Sequence, residues 1–138
     1  MSFNPSIATV VFPARDLDAG IAAWSTVFGA GPMFATDDFA VFRTDELEIG
    51  LTSLPWVDEP LVMLATDDIE AARSELLDAG ATAMAEVSGG GLAELGTAPV
   101  TNGDAQTGIV DSPGARLAVV RLANGNLVGL RQAVPMDW

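Results

Sequence analysis

The sequence predicts an α+β fold made of two tandem βαβββ modules, and three observations carry this prediction. An apolar, β-branched run followed by a helical stripe occurs near the N-terminus, and the same succession recurs after residue 60. The acidic residues that begin the two predicted helices, Asp16 and Asp68, lie 52 positions apart. One such module leaves a sheet face and an edge open. We therefore expect two modules to form a curved, partly closed mixed sheet around a cleft, with the helices on its convex side.

Composition limits the classes of protein that remain. The chain has 138 residues, which is the usual size of a single domain, and we expect residues 1–138 to form one. Its 49% hydrophobic content is too high for a disordered chain. The absence of cysteine excludes a disulfide scaffold, and the absence of histidine excludes histidine ligands and histidine bases.

The charge balance is strongly acidic, with 6 basic residues against 19 acidic ones and a net charge of −13. The six arginines are scattered rather than gathered in a stripe, which argues against a nucleic-acid partner. The acidity has two interpretations, solubility of a hydrophobic protein or attraction of a cationic ligand. An apolar run of about 18 residues and a basic N-terminal segment are both missing from the sequence, so we expect no membrane partner and a cytoplasmic location.

The first module is predicted over about residues 7–54. A strand at 7–12 precedes a helix capped by Asp16 and closed by Gly29. Three further strands are predicted at 33–36, 39–43 and 46–53, the last with clean alternation of apolar and polar residues. Two prolines within residues 55–60 then indicate a linker.

The second module is predicted over about residues 61–132. A strand at 61–65 leads to a helix that starts at Asp68 and ends at Gly80. A strand at 81–87 follows, and two more, at 115–122 and 127–131, flank the hairpin dipeptide Asn124-Gly125. The long loop predicted at 88–110 has the glycine-rich composition of a functional lid or of a disordered segment.

This order of elements, together with the Asp-Leu and Asp-Ile helix starts and the late Asn124-Gly125-Asn126 hairpin, resembles the vicinal oxygen chelate superfamily. Glyoxalase I, extradiol dioxygenases and bleomycin-resistance proteins belong to it. The resemblance covers roughly residues 7–132 and is strongest for the metal-free bleomycin-resistance type. It implies the fold more strongly than the function, because many chemistries share this fold.

The resemblance also implies four positions for metal ligands, one in the first strand and one in the last strand of each module. In this sequence they are occupied by Thr9, Gly50, Leu61 and Gly129. None of these is a useful ligand for a divalent metal. We therefore predict neither a metal nor another cofactor, and no metal-dependent chemistry of the glyoxalase or dioxygenase kind.

A small-molecule ligand is the predicted occupant of the cleft. Gly50 and Gly129 either leave room for a bulky group or are ordinary strand glycines at a bend. Met63 is either an adaptable wall of the cleft or part of the core, and Phe42 either reaches the rim or packs in the core. The predicted ligand-binding residues are Thr9, Phe42, Glu48, Gly50, Trp56, Leu61, Met63, Gly129 and Arg131.

Three of these residues carry the specific chemistry. Trp56 in the linker is either a stacking surface for a planar ligand or a plug at the seam between modules or at a dimer contact. Glu48 and Arg131 either pair with each other or orient a polar ligand. A carboxylate in an apolar cleft also suits a general base, but the sequence offers Glu48 no partner for that role, and we predict no catalytic residue.

These predictions favour a metal-free protein that sequesters a bulky aromatic natural product or antibiotic, neutral or cationic, as drug-resistance proteins do. The alternative is a metal-independent isomerase, lyase or cyclase of a biosynthetic pathway. A third class is a structural or regulatory module with a collapsed cleft. The resemblance further implies a homodimer, with either swapped or unswapped pairing of modules.

Overall fold

The computed structural model describes residues 6–45, 47–112 and 114–134. These residues fall into two compact units: the first unit is residues 7–62, and the second unit is Ser6 with residues 63–134. The elements, in chain order, are β1 (Ser6–Pro13), α1 (Leu17–Phe28), β2 (Phe34–Ala35), β3 (Phe39–Arg43), β4 (Glu48–Thr52), β5 (Leu61–Ala65), α2 (Ile69–Asp78), β6 (Thr82–Val87), β7 (Gly91–Glu94), β8 (Val100–Asn102), β9 (Val110–Ser112), β10 (Ala115–Arg121) and β11 (Leu127–Ala133).

The first unit is the predicted βαβββ module. Its strands lie in the order β2-β3-β4-β1, in which β1 and β4 are parallel and the other pairs are antiparallel. The last strand is shorter than predicted because Thr44 and Leu47 close a turn before it, with the Leu47 N–H donating to the Thr44 hydroxyl over 3.0 Å. Glu46, which was included in the predicted strand, lies outside the described residues.

Helix α1 starts and ends where the sequence predicts. The Asp16 carboxylate accepts a hydrogen bond from the Ala19 N–H over 3.0 Å, which satisfies a backbone donor at the start of the helix. Gly29 closes the helix at φ 70°, a left-handed conformation that glycine adopts without a steric penalty. An aromatic row connects the strands to the helix, with ring centroids 5.0 to 5.7 Å apart; its members are Phe12, Trp24, Phe28 and Phe42.

The second unit repeats this topology. β5 is parallel to β11, and the order β5-β11-β10-β6 matches β1-β4-β3-β2 of the first unit strand for strand. Asp68 caps α2 as Asp16 caps α1, accepting from the Ala71 N–H over 3.1 Å. The predicted duplication and the α+β class are therefore confirmed. Among the described residues, neither helix is long and apolar enough to span a membrane.

The predicted long loop at 88–110 is corrected by the structure. It contains β7 and β8, which both pair with β6, and its end leads into β9. Ile109 is 4% exposed and belongs to a core cluster with Ile69 and Leu130 under α2. The segment is therefore neither a free lid nor disordered, because part of it is packed into the core of the second unit.

Candidate ligand-binding site

Each strand of the first unit has one face toward α1 and one face away from it. Ile49 and Leu51 of β4 pack with Leu17 of α1, so the alternate residues of β4 lie on the opposite face. Residues paired in register share that face. We call this surface the first helix-averted face; it comprises Thr9, Val11, Phe39, Val41, Arg43, Glu48, Gly50 and Thr52.

The protein's own side chains cover Gly50 on this face. A Cβ placed on residue 50 would lie 3.2 Å from the Phe39 ring and 3.3 Å from a methyl group of Val11. Thr9, two residues before Val11 in β1, is buried at 6% exposure. The space that was expected to be free beside Gly50 is thus narrow, and these contacts favour the interpretation of Gly50 as a packing glycine.

Glu48 has a charged neighbour that the sequence analysis missed. Its carboxylate lies 4.0 Å from the guanidinium of Arg43, the residue directly opposite it in β3. The Glu48 side chain is 16% exposed, whereas that of Arg43 is 65% exposed. Opposite charges at facing positions of adjacent antiparallel strands attract modestly, and solvent weakens this pair further. The positions of Arg43 and Glu48 on either side of the short connection 44–47 are typical of a hairpin, and this spacing could have predicted the pair.

The second unit has a corresponding surface, which we call the second helix-averted face. Leu64 and Leu130 pack on the core cluster under α2, so their strand neighbours lie on the other face. One row of paired residues crosses four strands there, Met63 on β5, Gly129 on β11, Val119 on β10 and Met84 on β6. Two predicted ligand-binding residues, Met63 and Gly129, are therefore adjacent.

The side chain of Met63 lies over Gly129. Its sulfur occupies the space where a Cβ of residue 129 would be, and its methyl carbon is 2.6 Å from that point. Met63 is itself 6% exposed. The room expected beside Gly129 is filled by a flexible, polarizable thioether, and a ligand can enter there only if Met63 changes rotamer.

For two further predicted residues, Arg131 and Leu61, the structure gives the strand position and the exposure. Arg131 is half-buried and opposes Ala65 and Leu117, one row beyond Met63 and Gly129 on the same face. Leu61 precedes Met63 by two residues in β5 and is 6% exposed. The pairing suggested for Glu48 and Arg131 remains a prediction.

Phe42, which the sequence placed either at the rim or in the core, lies in a core cluster. It is 2% exposed and lies in the cluster between β3, β4 and α1, with its ring centroid 5.4 Å from that of Phe28. It therefore faces the helix rather than the helix-averted surface, which favours the alternative that Phe42 packs in the core. The sequence placed Phe42 in the correct strand, but it did not place Ala40 and Phe42 on the helix side.

A cavity of about 270 Å³ lies in the first unit at the carboxyl ends of the parallel strands β1 and β4, where the linker begins. Thr52 belongs both to this cavity and to the first helix-averted face. Trp56 is half-buried and lies in the chain between two residues of the cavity wall. The cavity is lined by Pro13, Ala14, Arg15, Thr52, Ser53, Leu54, Pro55, Val57 and Asp58.

Arg15 and Asp58 bring opposite charges to this cavity. Within the described ranges, neither forms an ion pair within 4.0 Å. Both are exposed and accessible to the charged groups of a ligand. The sequence analysis missed both, since nothing in their local pattern shows that the chain end of β1 meets the linker.

The metal centre implied by the superfamily does not fit these residues. Thr9, Gly50, Leu61 and Gly129 supply one hydroxyl between them, and the space over Gly129 holds the Met63 thioether. Divalent metals in such sites need carboxylate, imidazole or thiolate donors. In the part of the chain that the structure describes, no three His, Cys, Asp or Glu side chains are grouped to hold a metal.

Comparison with known proteins agrees with this architecture. Methylmalonyl-CoA epimerase from Streptomyces coelicolor matches 97% of this chain and 100% of its own, at 16% identity and a TM-score of 0.62. A hypothetical protein from Bacillus halodurans C-125 matches over 98% and 99%, at 11% identity and a TM-score of 0.62. A glyoxalase/bleomycin resistance protein/dioxygenase superfamily member from Vibrio splendidus 12B01 matches over 95% and 100%, at 11% identity and a TM-score of 0.55.

Neither a protein-family model nor a curated protein sequence matches the chain. The likeness to solved structures, with the repeated βαβββ topology, shows that the chain has the vicinal oxygen chelate fold. The resemblance seen in the sequence is thereby confirmed at the level of the fold.

Proposed function

We propose that this protein binds a bulky, partly aromatic natural product or antibiotic without a metal ion and without transforming it. The observation that carries the proposal is the packing of Met63 over Gly129. An apolar, flexible side chain takes the place of a metal ligand, at a position where the superfamily would hold a donor. Its three rotatable bonds allow the same side chain to adapt to an apolar ligand.

The surroundings support a ligand of this class. The row of Met63, Val119 and Met84 is apolar, and Met84 is 2% exposed. Ligand pockets are lined mainly by such side chains, with a few polar groups that set orientation. Arg131, on the same face of the second unit, would supply such a polar group. In the first unit, Glu48 is the proposed polar contact, and Trp56 is the proposed stacking surface for a planar ring. The net charge of −13 would speed the encounter with a cation more than it would tighten binding.

A second candidate, a metal-independent isomerase, lyase or cyclase, is favoured by the position of Glu48. Its carboxylate is largely shielded from solvent on the first helix-averted face. Such a group can act as a base when its substrate lies within hydrogen-bond distance. One solved structure of similar fold is an epimerase, which is a fact about that protein alone.

Fluorescence titration with two planar probes, cationic ethidium and an uncharged acridine, tests the proposal in buffer that contains EDTA. Met63→Ala should change the affinity for at least one probe by about tenfold or more, because it removes the side-chain atoms that would make several apolar contacts with the probe. Leu64→Ala is the matched control, since Leu64 is the next residue of β5 and packs toward α2. Binding that requires added metal, or equal effects of the two substitutions, would contradict the proposal.

Glu48→Gln separates the two candidates. In a binding protein it should weaken probe binding only modestly, because the carboxylate contributes one polar contact. In an enzyme it should abolish conversion of a bound compound, which chromatography and NMR detect as a new species on incubation with the unmodified protein, because an isomer has the same mass as its substrate. We include a homodimer and a cytoplasmic location in the proposal as expectations that rest on the resemblance and on the sequence.

A further inference from the structure

The repeated module allows the cavity of the first unit to be compared with the same place in the second unit. Directly after the first strand of each module, a backbone N–H donates to a carbonyl of the last strand. The Ala14 N–H donates to the Thr52 carbonyl over 2.7 Å, and the Thr66 N–H donates to the Arg131 carbonyl over 2.9 Å. These two bonds are equivalent, so the residues that follow each acceptor occupy equivalent positions.

The residues in those positions, Ser53 and Gln132, differ in what they do at the start of the neighbouring helix. The Gln132 carboxamide oxygen accepts a hydrogen bond over 2.8 Å from the N–H of Ile69, the first residue of α2. This bond satisfies one of the backbone donors that a helix leaves open at its start. The shorter Ser53 side chain donates instead to the Asp38 carbonyl over 3.4 Å. Among the described residues, the structure gives no acceptor to the N–H of Leu17, the first residue of α1.

Two described residues of opposite charge, Arg15 and Asp58, line the same cavity and form no ion pair with each other within 4.0 Å. The backbone that carries each of them is held in place. Asp16, which caps α1, directly follows Arg15. Val57, which is buried and donates its N–H to the Leu54 carbonyl over 3.2 Å, directly precedes Asp58. A site whose backbone is fixed in advance loses less entropy when a ligand binds.

The two charges select the class of ligand. An anion would be attracted by Arg15 and repelled by Asp58, and a cation would meet the reverse. A zwitterion presents a carboxylate to the guanidinium, which binds carboxylates with two parallel hydrogen bonds, and an ammonium group to Asp58. Because Ser53 lines the cavity and corresponds to Gln132, a carboxylate bound there takes the place of the carboxamide and accepts from the Leu17 N–H.

The size and the walls of the cavity restrict the zwitterion further. Its volume of about 270 Å³ is just below the range of about 300–1,000 Å³ that is usual for pockets of drug-sized ligands, so a smaller molecule fits. Besides the charged residues, the walls include Pro13, Leu54, Pro55 and Val57. These side chains are apolar, and the two prolines have no backbone N–H. The cavity therefore suits a small zwitterion with an apolar body.

We propose that this cavity binds an α-amino acid with an apolar side chain. The α-carboxylate pairs with Arg15 and accepts from the Leu17 N–H, the α-ammonium group pairs with Asp58, and the side chain packs against the apolar wall. The inference goes beyond the proposed function and does not depend on it. Thr52 is the one described residue that the cavity shares with the first helix-averted face, and the second helix-averted face contributes none.

NMR titration of the full chain with L-leucine, L-methionine and L-phenylalanine tests the class of ligand, at low ionic strength because salt screens exposed charges. At least one of them should bind and shift the amide signals of residues that line the cavity. Two analogues of leucine carry one charge each, 4-methylpentanoate without the ammonium group and 3-methylbutylamine without the carboxylate. Each should bind about fivefold more weakly than leucine, or worse. No binding of all three amino acids, or equal binding of an analogue, overturns the proposal.

Ser53→Gln tests where the carboxylate lies, because it gives the first unit the carboxamide that Gln132 supplies in the second. It should raise the urea midpoint by capping α1 and weaken amino-acid binding by about tenfold or more. Ser53→Ala is the matched control and should leave the affinity within about twofold of the unmodified value. Undiminished binding by a folded Ser53→Gln protein overturns the placement of the carboxylate beside the Leu17 N–H.

Charge-neutralising variants test the two ionic contacts. Arg15→Gln and Asp58→Asn should each weaken amino-acid binding by about fivefold. Their controls are Arg121→Gln and Asp78→Asn, at exposed positions of the second unit, which remove the same charges away from the cavity. Equal effects of the variants and their controls overturn the site. Met63→Ala should leave amino-acid binding unchanged, so this proposal and the proposed function can fail separately.

Discussion

The thioether of Met63 fills the space beside Gly129. Met63 and Gly129 oppose each other on the parallel strands β5 and β11. A side chain from the first strand of the module thus takes the volume that a side chain on the last strand would need. A donor side chain at residue 129 would meet the flexible end of Met63, which would have to change rotamer to make room for it. The same contact explains why glycine occupies a buried strand position, where it contributes no packing of its own.

We predict that Gly129→Ala destabilises the protein by about 1 kcal/mol, the low end of the cost of overpacking a core, because the colliding sulfur and methyl group are the flexible end of Met63 and can shift. In a Met63→Ala background the same substitution should cost little, because the colliding sulfur and methyl group are gone. Urea unfolding of the four proteins measures this coupling as a double-mutant cycle. Equal costs in the two backgrounds would show that Gly129 is required for a reason other than Met63.

We predict that Ile109→Ala costs about 2–5 kcal/mol, as truncation of a buried aliphatic residue does. The reason is its place in the cluster with Ile69, Ala72 and Leu130. Gln106→Ala, at an exposed position in the same segment, should change stability by less than about 0.5 kcal/mol. If thermal or urea unfolding shows both substitutions to be harmless, the segment does not contribute to the core.

Asp104 should make the stability of this segment depend on pH. The backbone N–H groups of Gln106 and Thr107 donate to its carboxylate over 2.8 and 3.0 Å and hold its pKa below the ordinary value of 3.8. Since the folded pKa is the lower one, the stabilisation is present above pH 3.8 and is lost as the pH falls through the folded pKa.

The difference in stability between the unmodified protein and Asp104→Ala should therefore be constant near pH 7 and shrink in acid. Urea midpoints measured from pH 7 to pH 2 test this prediction. Asp45→Ala, at another exposed acidic residue, controls for the general effect of losing a charge. If the difference in stability between the two proteins instead grew as the pH fell, its sign would be the opposite of the predicted one. The hydrogen-bonded carboxylate of Asp104 would then be excluded as its cause.

Trp56→Ala should weaken binding of a planar probe by about 2- to 12-fold, the range that corresponds to a stacking contribution of roughly 0.5–1.5 kcal/mol. Trp56→Phe keeps a stacking ring and should recover part of the affinity. Fluorescence titration with ethidium measures both. A large loss of stability in Trp56→Ala with unchanged probe affinity would instead assign this residue to packing.

The sequence predicted the fold well because its signals are local. The caps Asp16 and Asp68, the closing Gly29 and the hairpin at Asn124-Gly125 each act within a few residues, and the structure confirms all four. The alternation predicted for the last strand of the first module also agrees with the structure, in which Ile49 and Leu51 pack in the cluster with Leu17 of α1.

The site was less predictable because it depends on contacts between distant segments. The packing of Met63 on Gly129 requires the register of two strands that are separated by residues 66–126, and no local pattern specifies it. β7 pairs with β6 across residues 88–90 alone, and β8 pairs with β6 from farther along the chain, but the glycine-rich composition suggested a loop there. The sequence left open whether Phe42 reaches the rim or packs in the core, because an aromatic residue in a strand suits either face equally well.

Native mass spectrometry of the purified protein, before and after treatment with EDTA, tests metal-free ligand binding most directly. We expect masses that correspond to the polypeptide and its dimer, unchanged by EDTA, with any adduct having the mass of an organic compound. One divalent metal ion per chain, removed by EDTA, would contradict the assignment of Thr9, Gly50, Leu61 and Gly129 as positions without a metal ligand and would favour metal-assisted catalysis.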